Sequence, residues 1–353
     1  MLRSLAFLQL GTDALARVDG PLDPVASPRA GSAALFAPDF AMSTDGPWWL
    51  DGSGEAPVVL SRDQWAGLFA AADLPPRPAL AWSEPDEARF ARGFASLERH
   101  LTSGALRKGV PVTVMSAPLS PEAACAVFQR ALARVPGLPS RLFAYGFFRA
   151  AGTGGRPEFL IGATPELLFD TDGGRTLLTM AVAGTRRSEA GPAPLAESAK
   201  DRDEHQSVVD DLVTQLAAWG RPTASATEVR NFGQLEHLAT DIRLESEVAL
   251  DFEDVARRLH PTPALGVYPR SAAGRSWLAS IDPAGERRRF GAPFGLRLPS
   301  GAGRCLVAIR NLQYGDGRLD IWAGCGVVSR SRYGEEWQEV LDKMQAVRAL
   351  WDV

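Results

Sequence analysis

The stretch EFLIGATPELLFDTDGGRTLLTMAVAG, residues 158–184, constrains the fold more than any other part of the chain. Strand-like apolar segments flank the break TDGG. Asp-Gly and Gly-Gly at such a break make the tight turns that join neighbouring strands. The segment therefore predicts strands that double back on one another, and with them antiparallel pairing. Around it the predicted elements come in uneven groups. GVPVTVMSA reads as a strand and PEAACAVFQRALARV as a helix. A helix from about Leu195 to Trp219 and another near Phe252 to Leu259 follow. Strands around GLRLP, CLVAIRNLQYG and RLDIWAGCGVV come next, and a helix closes the chain. Without regular alternation of strand and helix, the expected class is α+β with largely antiparallel sheets.

The first 75 residues read as short strands and turns with Trp48, Trp49 and Trp65 as apolar anchors. ADLPPRPALAWSEPDE is a proline-rich connector. A helix from about Pro85 to Ser103 should follow, since Phe90, Phe94, Leu97 and Leu101 recur at helical period and Gly104 can end it. The expected division is a β-rich N-terminal part, 1–80, and a main region, 81–353, of one fold. With 353 residues, 45% of them hydrophobic, the chain can bury a large core. A net charge of -4 and scattered Arg and Lys argue against a nucleic-acid surface. No apolar run approaches the roughly 20 residues of a membrane span. The N-terminus lacks the pattern of a secretory signal. Cys125, Cys305 and Cys325 have no CxxC spacing and read as free thiols of a reducing compartment. The expectation is a soluble, cytoplasmic protein.

Two helices carry a pattern that core packing does not explain. In GEEWQEVLDK, Glu336, Glu339 and Lys343 share a face with Val340, Val347 and Leu350. In SAKDRDEHQSVVDDL, Asp201 and Glu204 share one with Val208 and Leu212. Buried carboxylates are costly unless paired or bound to a cation. Two such pairs would suit a hard cation such as Mg²⁺. The spacing also fits pairs at the edge of each face that reach solvent, and it does not show that the helices meet. Glu166 in GATPELL is a candidate general acid if its surroundings keep it protonated, or else a turn residue. Lys108 in LRKGVPV is a base if desolvated, or else an ordinary solvated lysine. Arg310 in VAIRN interrupts an apolar strand and needs an anionic partner such as a substrate carboxylate. The glycines of AVAGTRR and WAGCGVV, at strand ends, let backbone amides approach a ligand. The four histidines have no metal-site spacing, and His237 and His260 taken singly read as structural.

LRKGVPV, GATPELL, AVAGT, KDRDEH, LEHLATDI, LHPTPALG, FGAPFG, VAIR, AGCGVV and GEEWQEVLDK occur in this order. Together they resemble the chorismate-utilising enzymes, a family that includes isochorismate, salicylate, anthranilate and aminodeoxychorismate synthases. The resemblance covers about residues 86–350 and makes 81–353 a chorismate-binding catalytic region. It implies two large, mainly antiparallel sheets packed together with helices outside, and an active site in a deep cleft. It also implies Mg²⁺, with Glu204 and Glu339 as ligands and Asp201 and Glu336 as their water-mediated or outer companions. Lys343 resembles a substrate-carboxylate contact. Gly184, Thr185, Arg310 and Gly324 match substrate-binding positions, and His237 the active-site histidine.

Lys108 resembles the lysine that activates water in isochorismate and salicylate synthases, where ammonia-using members carry glutamine. Ala183 stands where aminodeoxychorismate synthases have a nucleophilic lysine. Ala264 and Leu265 resemble isochorismate synthases, where salicylate synthases tend to Thr-Ala. The resemblance thus implies an isochorismate synthase, monomeric, acting on chorismate with Mg²⁺. The alternatives are a salicylate synthase, which goes on to eliminate pyruvate, and a catalytically silent chorismate-binding relative. This chain departs from the family pattern at Phe290 (often tyrosine), Ala292 (glycine), Glu236 (glutamine) and Arg332-Tyr333 (an Asp-Pro-like turn).

Overall fold

Alternation of side chains along strands decides how this molecule is layered. In the strand Phe143–Arg149, Tyr145 and Phe147 point one way and Ala144 and Phe148 the other. The same split separates Leu160 from Phe159 and Ile161. The computed structural model describes residues 3–29, 31–43, 47–52, 56–69, 74–150, 157–187, 195–233, 235–283 and 285–353.

The first sheet runs, in spatial order, Val58–Ser61, Ala14–Asp19, Leu5–Gln9, Phe143–Arg149, Glu158–Thr164, Asn311–Gly315, Arg318–Gly324 and Val112–Pro118. The second runs Thr223–Ala224, Leu235–Glu245, Thr176–Arg187, Leu167–Thr171, Gly303–Val307, Pro293–Arg297, Ala34–Phe36, Trp49–Asp51 and Asp23–Val25, with Glu228–Asn231 also on Leu235–Glu245. A small third sheet joins Val267–Tyr268, Lys108–Gly109 and Val327–Val328. Neighbours pair antiparallel, as the hairpin signal predicts.

The two large sheets pack face to face. Phe294 of the second sheet meets Tyr145 and Phe147 of the first, with ring centroids 5.0 and 6.4 Å apart. An alanine at Phe294 would remove this inter-sheet anchor at a cost of about 3–5 kcal/mol. Strands from the first 61 residues lie in both large sheets. Leu5–Gln9 pairs with Phe143–Arg149, and Ala34–Phe36 with Pro293–Arg297.

Seven α-helices appear among the described residues: α1 Arg62–Leu68, α2 Glu87–Thr102, α3 Pro121–Arg134, α4 Ala199–Leu216, α5 Phe252–Leu259, α6 Ala272–Ile281 and α7 Tyr333–Trp351. α2, α3 and α7 cover the outer face of the first sheet through Phe90, Phe128 and Val340. α4 and α5 cover the second through Val208, Leu212 and Val255. The α+β class with outer helices thus holds.

Local chemistry explains where expectation and structure part. The helix expected from Leu195 is a 3₁₀ turn, Leu195–Glu197, and then α4, because the Ser198 side chain caps the Asp201 N–H. α1 and α6, short and interrupted by glycine, were not expected. Ala72 and Asp73 of the connector lie outside the described residues. CLVAIRNLQYG is two strands, not one. The chain leaves the second sheet at Val307 and enters the first at Asn311, with Arg310 at φ 56 between them.

That break carries the chain from the second sheet to the first, and beside it Pro165-Glu166, between Glu158–Thr164 and Leu167–Thr171, carries it from the first to the second. The crossovers are bonded to each other: Val307 N–H donates to the Glu166 carbonyl at 3.1 Å, and Ala163 N–H to that of Arg310 at 3.4 Å. Irregular backbone that strands would otherwise leave unpaired is satisfied here. Glu166 and Arg310 are thereby fixed on neighbouring backbone segments where the chain passes between the sheets.

Candidate active site

Glu166 and Arg310 both line a cavity between the crossovers, α4 and α7. Glu166 is buried, and its Oε1 accepts one hydrogen bond, from Thr262 Oγ1 at 3.3 Å. Burial raises its pKa to about 7, although Lys108, Thr262 and Lys343 pull the other way. Near neutral pH this carboxyl can carry a proton and give it up. Arg310 is half-buried. Loss of water lowers its pKa to about 10, while Glu339 works in the opposite direction. It remains a cation, with Nη2 3.4 Å from His237 Nε2.

His237 is fixed from its other side. Its Nδ1 lies 3.1 Å from the Gly184 carbonyl and 3.2 Å from Thr185 Oγ1. The carbonyl can only accept, so Nδ1 carries the hydrogen and Nε2 faces the cavity. Burial, then Arg310 and Lys343, push its pKa down to about 3. It is therefore a neutral imidazole throughout the physiological range. Gly184 sits at a bulge within the strand Thr176–Arg187, not at a strand end as expected. Its φ is +71, and a Cβ would come within 3.0 Å of Asp201 Cβ. Glycine there lets the N-terminus of α4 close on the sheet.

α4 and α7 do meet, and their carboxylates face one another. Lys200 Nζ lies 2.9 Å from Glu336 Oε1 and 3.8 Å from each of Asp201, Glu204 and Glu339. Glu339 also pairs with Lys343 at 2.6 Å, and Lys343 donates to the Gly324 carbonyl at 3.0 Å. Burial opposes ionisation of Glu339, but Lys343 and Lys200 outweigh it and bring its pKa to about 2. Glu336 moves upward, through burial and then repulsion from Glu339. Asp201 moves upward chiefly through burial. Among the described residues no three His, Cys, Asp or Glu side chains converge as ligands; the carboxylates stand around an ammonium group instead. Glu204 Oε2 is buried and accepts no hydrogen bond. A cradle that already holds one cation, with an acceptor oxygen to spare, fits a hard divalent ion.

Lys108 is wholly buried (0% exposed), and Nζ lies 3.2 Å from Glu204 Oε1. Beneath them runs Gly326, where a Cβ would come 2.0 Å from Glu204 Oε1 and 2.6 Å from Lys108 Cε. Only glycine leaves room for this contact. Ala183, Ala264, Leu265, Phe290, Gly324 and Trp322 complete the cavity wall. Any side chain longer than alanine at 183 would enter the cavity. An outer cavity of about 510 Å³ adjoins it, sharing Pro165, His237, Arg310 and Val347.

The sequence reading therefore assembled one neighbourhood. Lys108, Glu166, Gly184, Thr185, Glu204, His237, Ala264, Leu265, Arg310, Gly324, Glu339 and Lys343 line the cavity or touch a side chain that does, and Asp201 and Glu336 join them one step further out through Lys200. It missed Lys200 and Gly326. Lys200 lies within KDRDEH beside the carboxylates, and Gly326 within AGCGVV, two residues from Gly324. Of the other two histidines inside the fold, His260 is structural: its Nε2 hydrogen-bonds the Phe40 carbonyl at 2.7 Å. His205 packs its Nε2 2.8 Å from Thr240 Oγ1.

Comparison with known proteins places these observations. The family model "chorismate binding enzyme" matches residues 61–349. The salicylate biosynthesis isochorismate synthase of Pseudomonas aeruginosa is 36% identical over 198 residues, 53% of this chain and 41% of that protein. Isochorismate synthase EntC of Escherichia coli is 32% identical over 217 residues, 58% of this chain and 53% of that protein. The matched stretch thus spans about half the length of these relatives. In fold, the menaquinone-specific isochorismate synthase MenF of Escherichia coli superposes with a TM-score of 0.76 at 19% identity, over 99% of this chain and 89% of that one. The chain belongs to the chorismate binding enzyme family.

Proposed function

We propose that this chain is an isochorismate synthase, moving a hydroxyl group from one end of chorismate's allylic system to the other. The observation that carries this reading is a buried carboxyl on the cavity wall and a buried amine behind that wall, against Glu204. Glu166 has a pKa of about 7, and Lys108 is shut away from bulk water. Water addition at one end and hydroxyl loss at the other need a base and an acid held apart. In this reading Lys108 takes a proton from the attacking water. Glu166 gives its proton to the departing hydroxyl, which leaves as water, and the two conjugated double bonds of the ring each move along by one bond. Lys108 must be free of Glu204 to act, and drawing Glu204 toward a divalent cation would release it.

Glu204 and Glu339, backed by Asp201 and Glu336, would hold Mg²⁺. When bound, the ion would supply positive charge for a substrate carboxylate and fix the ring between acid and base. Lys343, Arg310, the neutral His237 and the backbone at Gly184 and Thr185 orient the substrate's acidic groups. Ala264 and Leu265 keep one wall apolar, in line with a product that stops at isochorismate. The outer cavity gives chorismate its route in. The chain would act as a monomer in the cytoplasm, where its three free thiols stay reduced.

Incubation with chorismate and MgCl₂, with products separated by chromatography, tests the reading. Isochorismate as the main product is expected. Salicylate with pyruvate would make it a salicylate synthase, and binding without turnover a silent relative.

A further inference from the structure

Lys200 breaks a local rule. It is the second residue of α4, directly after Ser198 and Ala199. The first turn of a helix carries partial positive charge, so a lysine is disfavoured there and would ordinarily turn to solvent. Solvent is within reach, since the side chain is 22% exposed. It nevertheless folds inward, to within 4 Å of carboxylates on two helices. Glu204 Oε2, buried and accepting no hydrogen bond, lies on the same side of the cradle.

Competition for the same oxygens gives this arrangement a purpose. The Lys200 ammonium stands within 4 Å of all four carboxylates, the place a divalent cation held by them would take. Two cations side by side in so poorly solvated a space repel strongly. Exchange of one for the other avoids that cost. A lysine has four flexible carbons and one strongly hydrated end, so it can swing out without moving the helix.

We propose that Lys200 is an internal stand-in cation: its ammonium fills the carboxylate cradle of the metal-free protein and withdraws to solvent when Mg²⁺ enters. The proposal rests on the metal reading above. Metal binding is then an exchange, and Lys200 lowers apparent metal affinity while holding the empty cradle together. The bound state needs the lysine-out conformer, so its scarcity weakens apparent affinity in proportion. Lys200 is a positioning residue for the metal site, and its effect belongs in metal binding and in metal-free stability.

Calorimetric titration of metal-stripped protein with MgCl₂ alone, without substrate, tests this. Lys200→Met keeps the carbon chain and removes the charge. It should bind Mg²⁺ roughly tenfold more tightly than wild type, or better. In EDTA its Tm should fall below wild type, and saturating MgCl₂ should close the gap. Lys200→Arg, which keeps the charge in a bulkier group, should fold in EDTA and bind Mg²⁺ no more tightly than wild type. Folded Lys200→Met with unchanged or weaker affinity overturns the exchange, as does tighter binding by Lys200→Arg. If Lys200→Met does not fold in EDTA, the Lys200→Arg titration decides. If Mg²⁺ binds wild type and Glu339→Gln abolishes binding while Lys200→Met leaves it unchanged, the exchange alone fails. Absence of binding by every variant overturns both the exchange and the metal reading.

Discussion

Glu166 and the α4–α7 carboxylates sit around one cavity, and the protein buries them in opposite ways. Glu166 meets an apolar wall and one weak hydroxyl donor, and the cheapest solution is to keep its proton. Glu339, a few residues into α7, meets two ammonium groups and stays ionised. Burial acts on both carboxyls in the same direction. Only the neighbours differ, and they set the pKa at about 7 in one case and about 2 in the other. One region is thereby equipped to donate a proton and the other to hold positive charge.

The charged region offers the largest break. Removing divalent cations with EDTA should abolish turnover of chorismate, and added MgCl₂ should restore it. Glu339→Gln should lose activity with Mg²⁺ present while its circular dichroism stays native, because Val340, Met344 and Val347 still anchor α7. Full activity in EDTA would refute the cation-holding role. Next comes the base beside that region. Lys108→Ala takes away a proton acceptor but no carboxylate, so kcat should drop about 100- to 10,000-fold while chorismate binding largely persists. Near wild-type kcat in Lys108→Ala would remove the main reason for choosing water as nucleophile.

The neutral region predicts the opposite pairing of activity and stability. Glu166→Gln should also lose about 100- to 10,000-fold in kcat, yet gain stability in alkaline solution. The unfolded carboxyl loses its proton above about pH 4.5, whereas the folded one keeps it to about 7. Folding takes up a proton in that window, so the wild type loses stability as pH rises from about 4.5 to 7 and stays lower beyond. Over roughly 2.5 pH units this amounts to at most about 3 kcal/mol. Urea unfolding at pH 8 should find Glu166→Gln the more stable protein. Glu339→Gln should go the other way, because its carboxylate supports the fold above its unfolded pKa and that support is lost only in strong acid. The same logic gives a rate profile: kcat/KM should fall about tenfold per unit above pH 7 as Glu166 ionises. A profile flat to pH 9 would assign the acid elsewhere. If both glutamine variants shifted stability in the same direction, the contrast between the two regions would collapse.

How much of this was legible beforehand follows the physics of each region. The carboxylates on α4 and α7 were visible because helical spacing puts them beside Val208 and Val340, a conflict that patterning exposes. Antiparallel pairing was visible at TDGG. Lys200 was not, because spacing gives a side chain's azimuth on its helix but not the direction a long flexible lysine bends. Gly326 was missed for a related reason: what excludes a Cβ there is Glu204, 122 positions earlier in the chain. The break at Arg310 was also hidden, since VAIRN reads as a strand interrupted by one charge. That this residue takes a left-handed conformation and carries the chain between sheets depends on strands from three parts of the sequence.

The smallest expected effect probes the apolar wall itself. Phe290 is buried, stacks on Trp322 with centroids 6.5 Å apart, and lines the same cavity as Glu166. Phe290→Tyr adds one hydroxyl at the ring's far edge. If that edge faces substrate, the hydroxyl gains a polar partner only when chorismate is bound. A net hydrogen bond of about 0.5–1.5 kcal/mol corresponds to a KM lowered roughly 2- to 10-fold. kcat should hardly move, because the contact is present equally before and during the chemical step. If the edge faces protein instead, the hydroxyl is buried without a partner, and stability falls by about 1–3 kcal/mol with KM unchanged. Paired measurements of KM and Tm separate the two outcomes. A lower KM at constant Tm is expected. The reverse would mean that this wall serves the fold and that substrate lies nearer the charged side of the cavity.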